Sequence, residues 1–504
     1  YVEKIDEIVG LIARDTVYSG DFDAYLDANF PATGGQTQQV DTLFLSQINE
    51  WRVALSNELY AQGGRYASLE VLNDVVQEFI NQIVFLRICE DKNLPLYHKL
   101  KDTITDADQL QPKLEELFRL ADRRYNSGMF SGEDIIFDLS CEVIKGMIED
   151  LYYPQSPYLF NIIEPNLLGK IYEIFLTEQL VLLENNTIGL GKKKDCQNRS
   201  VVTTPTEIVK YMVDKTLSKV CEGKTPSEIL NISVADIACG SGIFLEEAFA
   251  YLQDYCVQWY ICNGQTDHLI ETGIDLYKLP LQEKKDILCS CIYGIDIDIH
   301  AVEVAKFSLL IKLIEDETAP SVSEVVPILP DLGDNIQFGN SLVSQTELNG
   351  ISGANRQMME IAPFDWSTIN NGCGFDVIIG NPPYVNTEGM HALLPSAEVE
   401  IYKKKYKTSH KQFDKYFIFI EQAINKINEN GLVCYIVPNK FFKIGAGEKL
   451  RNLIAKERML VSLDDFGDAQ LFEDKTIYSS IILLSKAKQT SFVYSSVDSA
   501  NKLW

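Results

Sequence analysis

Three short apolar runs in this chain each end on a polar or acidic tip, and two of them pass directly into helical periodicity. Residues 232–237 read as a strand, turn through Ala238-Cys239-Gly240-Ser241-Gly242, and continue as a helix with Phe244, Leu245, Ala248, Phe249 and Leu252 on one face. Residues 292–298 end on Asp296 and Asp298 and precede a helix from about His300 to Ile314, with Ala301, Val304, Ala305, Leu309 and Leu313 on its apolar stripe. The third run, from Phe375 to Gly380, stops at Asn381-Pro382-Pro383-Tyr384. Buried strands alternating with helices predict a doubly wound α/β sheet, whose ligands gather at the carboxyl ends of the strands. Further strands are expected near Ile336, Val433, Val461 and Ile481, which makes a mostly parallel sheet of seven.

The tips differ in what they can hold. Prolines fix φ and lack an N–H, so carbonyls near Pro382 and Pro383 are free to face a ligand; Asn381 adds a neutral acceptor and Tyr384 a π face. That set suits a flat ring bearing an amine. Small residues in the 238–242 turn let backbone approach a ligand at a helix N-terminus, although the spacing is not that of a pyrophosphate-binding dinucleotide turn. Asp296, at the next strand tip, is placed to take ribose hydroxyls, with Ile297 against the base; Asp298 reads as a helix N-cap. The usual gap to this acid is about 20 residues. Here Asp236 and Asp296 lie three times as far apart, which implies a helical insertion over roughly 264–288.

In this order, residues 236–245, Gly294-Ile295-Asp296, Gly339-Asn340-Ser341-Leu342 and Asn381-Pro382-Pro383-Tyr384 resemble the motifs of N6-adenine-specific, S-adenosylmethionine-dependent DNA methyltransferases. The resemblance is to the gamma-type class, in which the cofactor loop precedes the Asn-Pro-Pro-Tyr loop. Thr204-Pro205, with Glu207, Ile208, Tyr211 and Met212, is similar to the helix that closes over the methionine end of the cofactor. Residues 431–439, and Leu471-Phe472-Glu473 with 477–484, resemble two later motifs. The likeness covers about 199–486 and departs at Val202 and Thr203, where tyrosines are common, and at Ile237, where proline is frequent.

The resemblance implies a Rossmann-like class I methyltransferase domain. It also implies S-adenosylmethionine held by Thr204, Pro205, Asp236, Ala238, Gly240, Gly242, Phe244, Asp296, Ile297, Asn340 and Asn381. Asn381 Oδ1 and the Pro382 carbonyl would accept the two hydrogens of the adenine amine, with Pro383 stiffening the catalytic loop. Tyr384 and Phe472 would stack on a base swung out of the duplex.

A net charge of −27 runs against phosphate binding, so any DNA contact must be local. Lys403, Lys404, Lys405, Lys407 and Lys411, interleaved with Tyr402 and Tyr406, form the candidate DNA-contacting stretch, and Lys192, Lys193 and Lys194 a second cluster. The 11 cysteines and 5 histidines show no ligand spacing, and no metal is expected. With no apolar run of 18 residues, the chain is expected to be a cytoplasmic protein of a bacterium or archaeon, with no membrane partner.

Before residue 190 helical periodicity dominates: Ile48, Trp51, Leu55 and Leu59; Leu72 through Leu86; Leu114, Leu117, Phe118 and Leu120. Residues 82–91 and 168–176 resemble the helical connector of Type IIG restriction-modification polypeptides, in which a nuclease precedes the connector and a target-recognition domain follows the methyltransferase. The expected domains are therefore an all-α connector (1–190), the methyltransferase (191–490) and the start of a missing recognition domain (491–504). Expected partners are double-stranded DNA and those two further domains of a longer polypeptide. Neither Glu90-Asp91-Lys92 nor Glu473-Asp474-Lys475 sits where a nuclease site would, so no cleavage is expected of this chain. Two other readings stay open: methyl transfer by the same fold to RNA or a protein glutamine amide, and a non-catalytic DNA-binding scaffold.

Overall fold

The computed structural model describes residues 40–125, 129–130, 135–153, 155–156, 178–192, 204–323, 325–348, 360–471 and 478–497. Contacts divide the chain into two compact units, 1–46 and 47–504, of which the second holds the sheet and the site. The readings placed on 168–176, Lys193, Lys194, Val202, Thr203, Phe472 and Glu473-Asp474-Lys475 lie outside the described residues. Among the described residues no helix is long and apolar enough to cross a membrane.

The amino-terminal part is built on helices α1 (Val40–Gln62), α2 (Leu69–Asp91), α3 (Leu110–Tyr125) and α4 (Cys141–Glu149). Their apolar stripes are buried as the periodicity requires, except that Leu120 is 38% exposed. On α3 the buried stripe runs through Leu114, Leu117, Phe118 and Ala121, and Leu120 falls beside it. Helix α2 is buried on nearly every side, and its polar groups are paired: Arg87 Nε donates to the Leu151 carbonyl at 3.0 Å, and Glu90 accepts from Leu100 N at 2.8 Å.

This part is not purely helical. Strands β1 (Glu178–Leu182) and β2 (Ile188–Lys192) form an antiparallel hairpin, tied to α1 where Asn57 bonds both the N–H and the carbonyl of Ile188. Helix α2 also packs against residues far along the chain, with Phe85 edge-on to Phe307 at 6.3 Å and Lys92 Nζ donating to the Glu315 carbonyl at 2.7 Å.

After helix α5 (Thr206–Cys221) comes the sheet. Strand β3 (Val234–Asp236) leads through the glycine turn into α6 (Ile243–Cys262). A small hairpin, β4 (Ile270–Gly273) and β5 (Leu276–Lys278), then precedes α7 (Leu281–Cys291), β6 (Ile292–Asp296) and α8 (Ile299–Leu313). The insertion expected as helix over 264–288 thus holds one 3-10 turn at Thr266–His268 and becomes α-helical only from Leu281. Asp275, at φ 56, makes the turn that folds the earlier half into strands.

Strands β7 (Ile336–Phe338) and β8 (Phe375–Gly380) come next, then helices α9 (Thr387–Leu393), α10 (Ser396–Lys405) and α11 (Lys415–Lys426). The chain continues with β9 (Ile427–Pro438), α12 (Glu448–Lys456), β10 (Leu460–Gln470), β11 (Tyr478–Ser485) and β12 (Val493–Ser496).

Among the described residues the main sheet has eight strands in the order β12-β10-β11-β9-β8-β3-β6-β7, one more than expected. The extra strand, β12, pairs in parallel with β10, from Ser462 opposite Val493 to Asp465 opposite Ser496. Four of the residues after 490, Val493 to Ser496, thus add a strand to this sheet. β11 runs antiparallel to both its neighbours, while β3 runs parallel to β6 on one side and to β8 on the other. Because the chain leaves β3 in one direction and returns through β8 from the other, the crevice of the sheet opens between these two tips.

Candidate active site

The glycine turn and the Asn-Pro-Pro-Tyr loop extend from the two strands that border this crevice. Gly380, the last residue of β8, can only be glycine: a Cβ there would lie 2.6–2.8 Å from the carboxylate of Asp236 at the end of β3. That carboxylate is 3% exposed and accepts a hydrogen bond from Ala238 N at 3.0 Å. Burial pushes its pKa up to about 8, against the Ala238 hydrogen bond and with the help of the nearby Asp296 charge. Asp236 is thus the wedge between the glycine turn and the Asn-Pro-Pro-Tyr tip.

The turn itself is a cradle. Gly240 and Gly242 have φ of 53° and 89°. A Cβ on Gly240 would meet nothing within 4 Å, so open space adjoins the backbone there, whereas one on Gly242 would touch Ala305 Cβ of α8 at 3.0 Å. Asp296, at the neighbouring tip, is half-buried and accepts from Gly240 N and Asp298 N, both at 2.9 Å. Ile297 beside it is also half-buried, and Asp298 is the helix cap its position predicted, accepting from His300 N at 3.0 Å. A glycine-lined space, a helix N-terminus and an accessible carboxylate at the next strand tip fit the ribose and methionine parts of S-adenosylmethionine. Phe244, on the first turn of α6 just after the glycines, is 2% exposed.

Asn381 and Tyr384 meet on the other side. The Tyr384 hydroxyl contacts Asn381 Oδ1 and lies 2.9 Å from the Ile436 carbonyl; with a single proton, it can donate to only one of the two at a time. The Tyr384 ring is 9% exposed and stands at 80° to Tyr416, 5.9 Å away. Burial raises its phenol well above the ordinary range. Asn381 Nδ2 donates to Thr204 Oγ1 at 3.1 Å, which joins the Thr-Pro pair to the catalytic loop. Pro205 caps α5, and that helix is pinned to β10 by the Lys215–Asp464 ion pair and by Tyr211 OH to Asp464 Oδ2 at 3.2 Å.

Asn340 and the lysine-rich stretch are both engaged with other parts of the protein. Asn340 is 3% exposed: Nδ2 donates to Glu398 Oε1 at 3.0 Å and approaches the Tyr402 hydroxyl at 3.4 Å, while Oδ1 accepts from Leu342 N at 3.1 Å. Three of its four hydrogen-bonding capacities are therefore spent on protein. The lysine-rich stretch is likewise not a basic aromatic loop. Most of it is the end of α10, with Tyr402 and Tyr406 buried in the core. Lys405 points inward, bonding the Leu342 carbonyl at 3.0 Å and Glu347 at 3.0 Å. Lys403 pairs with Glu400 at 3.3 Å and Lys411 lies 3.9 Å from Glu448, which leaves Lys404 and Lys407 as exposed cations without an ion pair among the described residues.

Of the residues that brace the 339–342 turn, Glu398 and Gln422 were not singled out in the sequence. Glu398 and Tyr402 hold Asn340; Gln422 Nε2 donates to the Ser341 carbonyl at 2.8 Å; Ser341 Oγ donates to the Ile237 carbonyl at 2.7 Å. One signal was available: Glu398 and Tyr402 stand four apart beside Val399 and Ile401, on the face of α10 that the lysines leave free.

Residues 290–472 match the family model described as the Eco57I restriction-modification methylase. Over 505 aligned residues, the chain is 42% identical to the Type II restriction enzyme and methyltransferase RM.Eco57I of Escherichia coli, which covers 99% of this chain and 49% of that protein. It is 24% identical to the Type II methyltransferase M.BstVI of Geobacillus stearothermophilus over half of this chain and 37% of that one. The chain thus spans half or less of the length of these curated relatives. Among solved structures, the Type IIL restriction-modification enzyme MmeI in complex with DNA superposes with a TM-score of 0.55 at 12% identity, over 92% of this chain and 59% of that one. The DrdV–DNA complex does so at 0.52 and 14%, over 93% and 44%. At these identities the structural likeness concerns the fold alone.

Proposed function

This chain belongs to the Eco57I-like restriction-modification methylases, and we propose that it transfers a methyl group to the exocyclic N6 amine of an adenine swung out of duplex DNA. The observation that carries this reading is the contact of Asp236 with Gly380, which sets the cofactor turn and the Asn-Pro-Pro-Tyr tip side by side on adjoining strands. A methyl donor held in one and an amine held in the other would meet at the crevice.

Bound S-adenosylmethionine would supply a sulfonium methyl. The turn at 238–242 and Asp296 would hold its nucleoside, and Thr204 and Pro205 would border its methionine end. The adenine amine is a poor nucleophile because its lone pair is delocalised into the ring. Asn381 Oδ1 and the Pro382 carbonyl, accepting its two hydrogens, would turn that lone pair out of the ring plane and towards the methyl. No strong base is needed, since the amine becomes acidic only once methylated. Alignment of donor and acceptor can contribute roughly 7–11 kcal/mol. Tyr384, braced by Tyr416, would stack on the extruded base, a contact typically worth about 1–3 kcal/mol.

Lys404 and Lys407 offer local positive charge for DNA on a chain whose net charge is −27, and further grip would come from parts of a longer polypeptide. The test is transfer of labelled methyl from S-adenosylmethionine to unmethylated DNA, RNA and protein acceptors. Label in DNA, at N6 of adenine, is expected, with Asn381→Ala slower by roughly 100-fold or more. Label only in RNA or protein, or an Asn381→Ala variant as active as the parent, would refute it.

A further inference from the structure

The pairing of β8 with β9 stops where the Asn-Pro-Pro-Tyr tip begins. The last paired residues are Gly380 and Tyr435, yet β9 runs on to Pro438. Beyond Gly380 the chain passes into Asn381 and two prolines, and a proline has no N–H to offer a ladder. The tip thus leaves the sheet beside three residues of β9 that the register no longer pairs with it.

Residues 413–416, at the head of α11, fill that place. On one side they hold the chain that follows the tip: Lys415 N donates to the Val385 carbonyl at 2.8 Å, Asp414 and Asn386 form an antiparallel bridge, and Thr387 Oγ1 donates to the Phe413 carbonyl at 2.7 Å. On the other they hold the end of β9. The Tyr416 hydroxyl donates to the Pro438 carbonyl at 3.2 Å, and its ring stands edge-on to Tyr384. The Asp414 carboxylate takes the ammonium of Lys440, in the turn Asn439–Phe442 that follows β9, at 2.5 Å.

We propose that Asp414 and Lys440 are positioning residues for methyl transfer, their ion pair fastening the segment behind the Asn-Pro-Pro-Tyr tip to the end of β9. This rests on the reading of Asn381 as the acceptor of the adenine amine. Asp414 is 5% exposed, so its charge is held out of water against a single ammonium rather than left to solvent. It also stands at the N-cap of α11, where an aspartate ordinarily caps the first amides with its side chain, and it makes no such bond. A helix start that gives up its own cap for a contact across the loop serves the tip more than the helix. Without the pair, 413–416 can draw away from 438–440, taking Val385 and the Tyr416 ring with it. A shift of about 1 Å at the reacting centre is enough to slow a transfer that depends on alignment.

The experiment uses the full-length protein with Asp414→Asn, Lys440→Met, the two together, and Lys440→Arg, which keeps the charge. S-adenosylmethionine affinity is measured by calorimetry, DNA affinity by titration over a range of salt, and single-turnover methylation on unmethylated genomic DNA. Each neutralising variant should methylate roughly 10- to 100-fold more slowly, with both affinities within about twofold of the parent. The double variant should be no slower than the worse single one, since both remove the same tie, and Lys440→Arg should recover most of the rate.

An unchanged rate would overturn the proposal. So would a rate that falls together with cofactor affinity, which marks a general loosening of the fold. A drop in DNA affinity confined to Lys440→Met, with the salt slope lower by about 1, would overturn it in favour of a phosphate contact. If Lys440→Met fails to fold, Lys440→Gln and Lys440→Arg carry the comparison, and arginine no better than glutamine overturns it. Full activity of Asn381→Ala would show instead that the underlying reading of Asn381 is wrong.

Discussion

Replacing Asp236 by asparagine should change how stability depends on pH more than it changes the fold. The side chain is 3% exposed, and its backbone partner, Ala238 N at 3.0 Å, can bond an amide oxygen as well as a carboxylate. Burial raises the acid from an ordinary 3.8 to about 8. At about 1.36 kcal/mol per pH unit, that disfavours the ionised form by at most roughly 6 kcal/mol, a ceiling lowered by relaxation and water entry. Since the folded pKa lies above the unfolded one, the neutral buried acid contributes its full stability below about pH 4 and loses it as the pH climbs towards 8.

Asparagine does not titrate. In urea unfolding followed by circular dichroism at a series of pH values, the parent should lose roughly 1 kcal/mol per pH unit relative to Asp236→Asn between pH 5 and 8. Glu246, whose acid burial likewise pushes up to about 8, cancels because it is common to both proteins. A difference that stays flat over this range, or a parent that gains on the variant as the pH rises, would refute the assignment of a buried, unpaired acid at this position.

Gly380→Ala puts a methyl 2.6–2.8 Å from the same carboxylate and should cost about 1–3 kcal/mol, recovered in part by adding Asp236→Ala; thermal melts of the three variants decide it. Lys215→Met strands Asp464, whose side chain is 1% exposed, and should destabilise by about 3–5 kcal/mol; denaturant midpoints measure this, and a loss below about 1 kcal/mol would show that the pair does not anchor α5. Exchanging both Lys404 and Lys407 for glutamate should lower the slope of log affinity for DNA against log salt by about 2 while leaving the melting temperature in place. Lys405→Glu should do the reverse, because its ammonium bonds the Leu342 carbonyl and Glu347 inside the protein.

The strands that border the candidate site were legible because each is short, apolar on both faces and stopped by a polar residue: Asp236, Asp296, Asn381. Helix starts with a side-chain cap, such as Asp298, could be read for the same local reason. What escaped was decided by partners distant in sequence. Nothing near Asn340 announces that Glu398, 58 residues on, will absorb its amide nitrogen. Nor does a run of lysines disclose that Lys405 alone turns inward, since periodicity gives a face but not which face is covered. The 270–278 hairpin is hidden because the helical signals on either side of it run together. β12 is too short to leave a pattern, and its pairing with β10 is what defines it.

That last strand bears on where the chain can be cut. A fragment ended at 490 would remove the four residues that pair with 462–465, and with them the hydrogen bond of Val497 N to Asp465 O at 2.8 Å. The newly bare backbone would belong to β10, the strand that carries Asp464 and so the ion pair holding α5. Such a fragment would expose an unsatisfied strand edge to neighbouring molecules. It would also loosen the mount of Thr204, on the far side of the crevice from the cut.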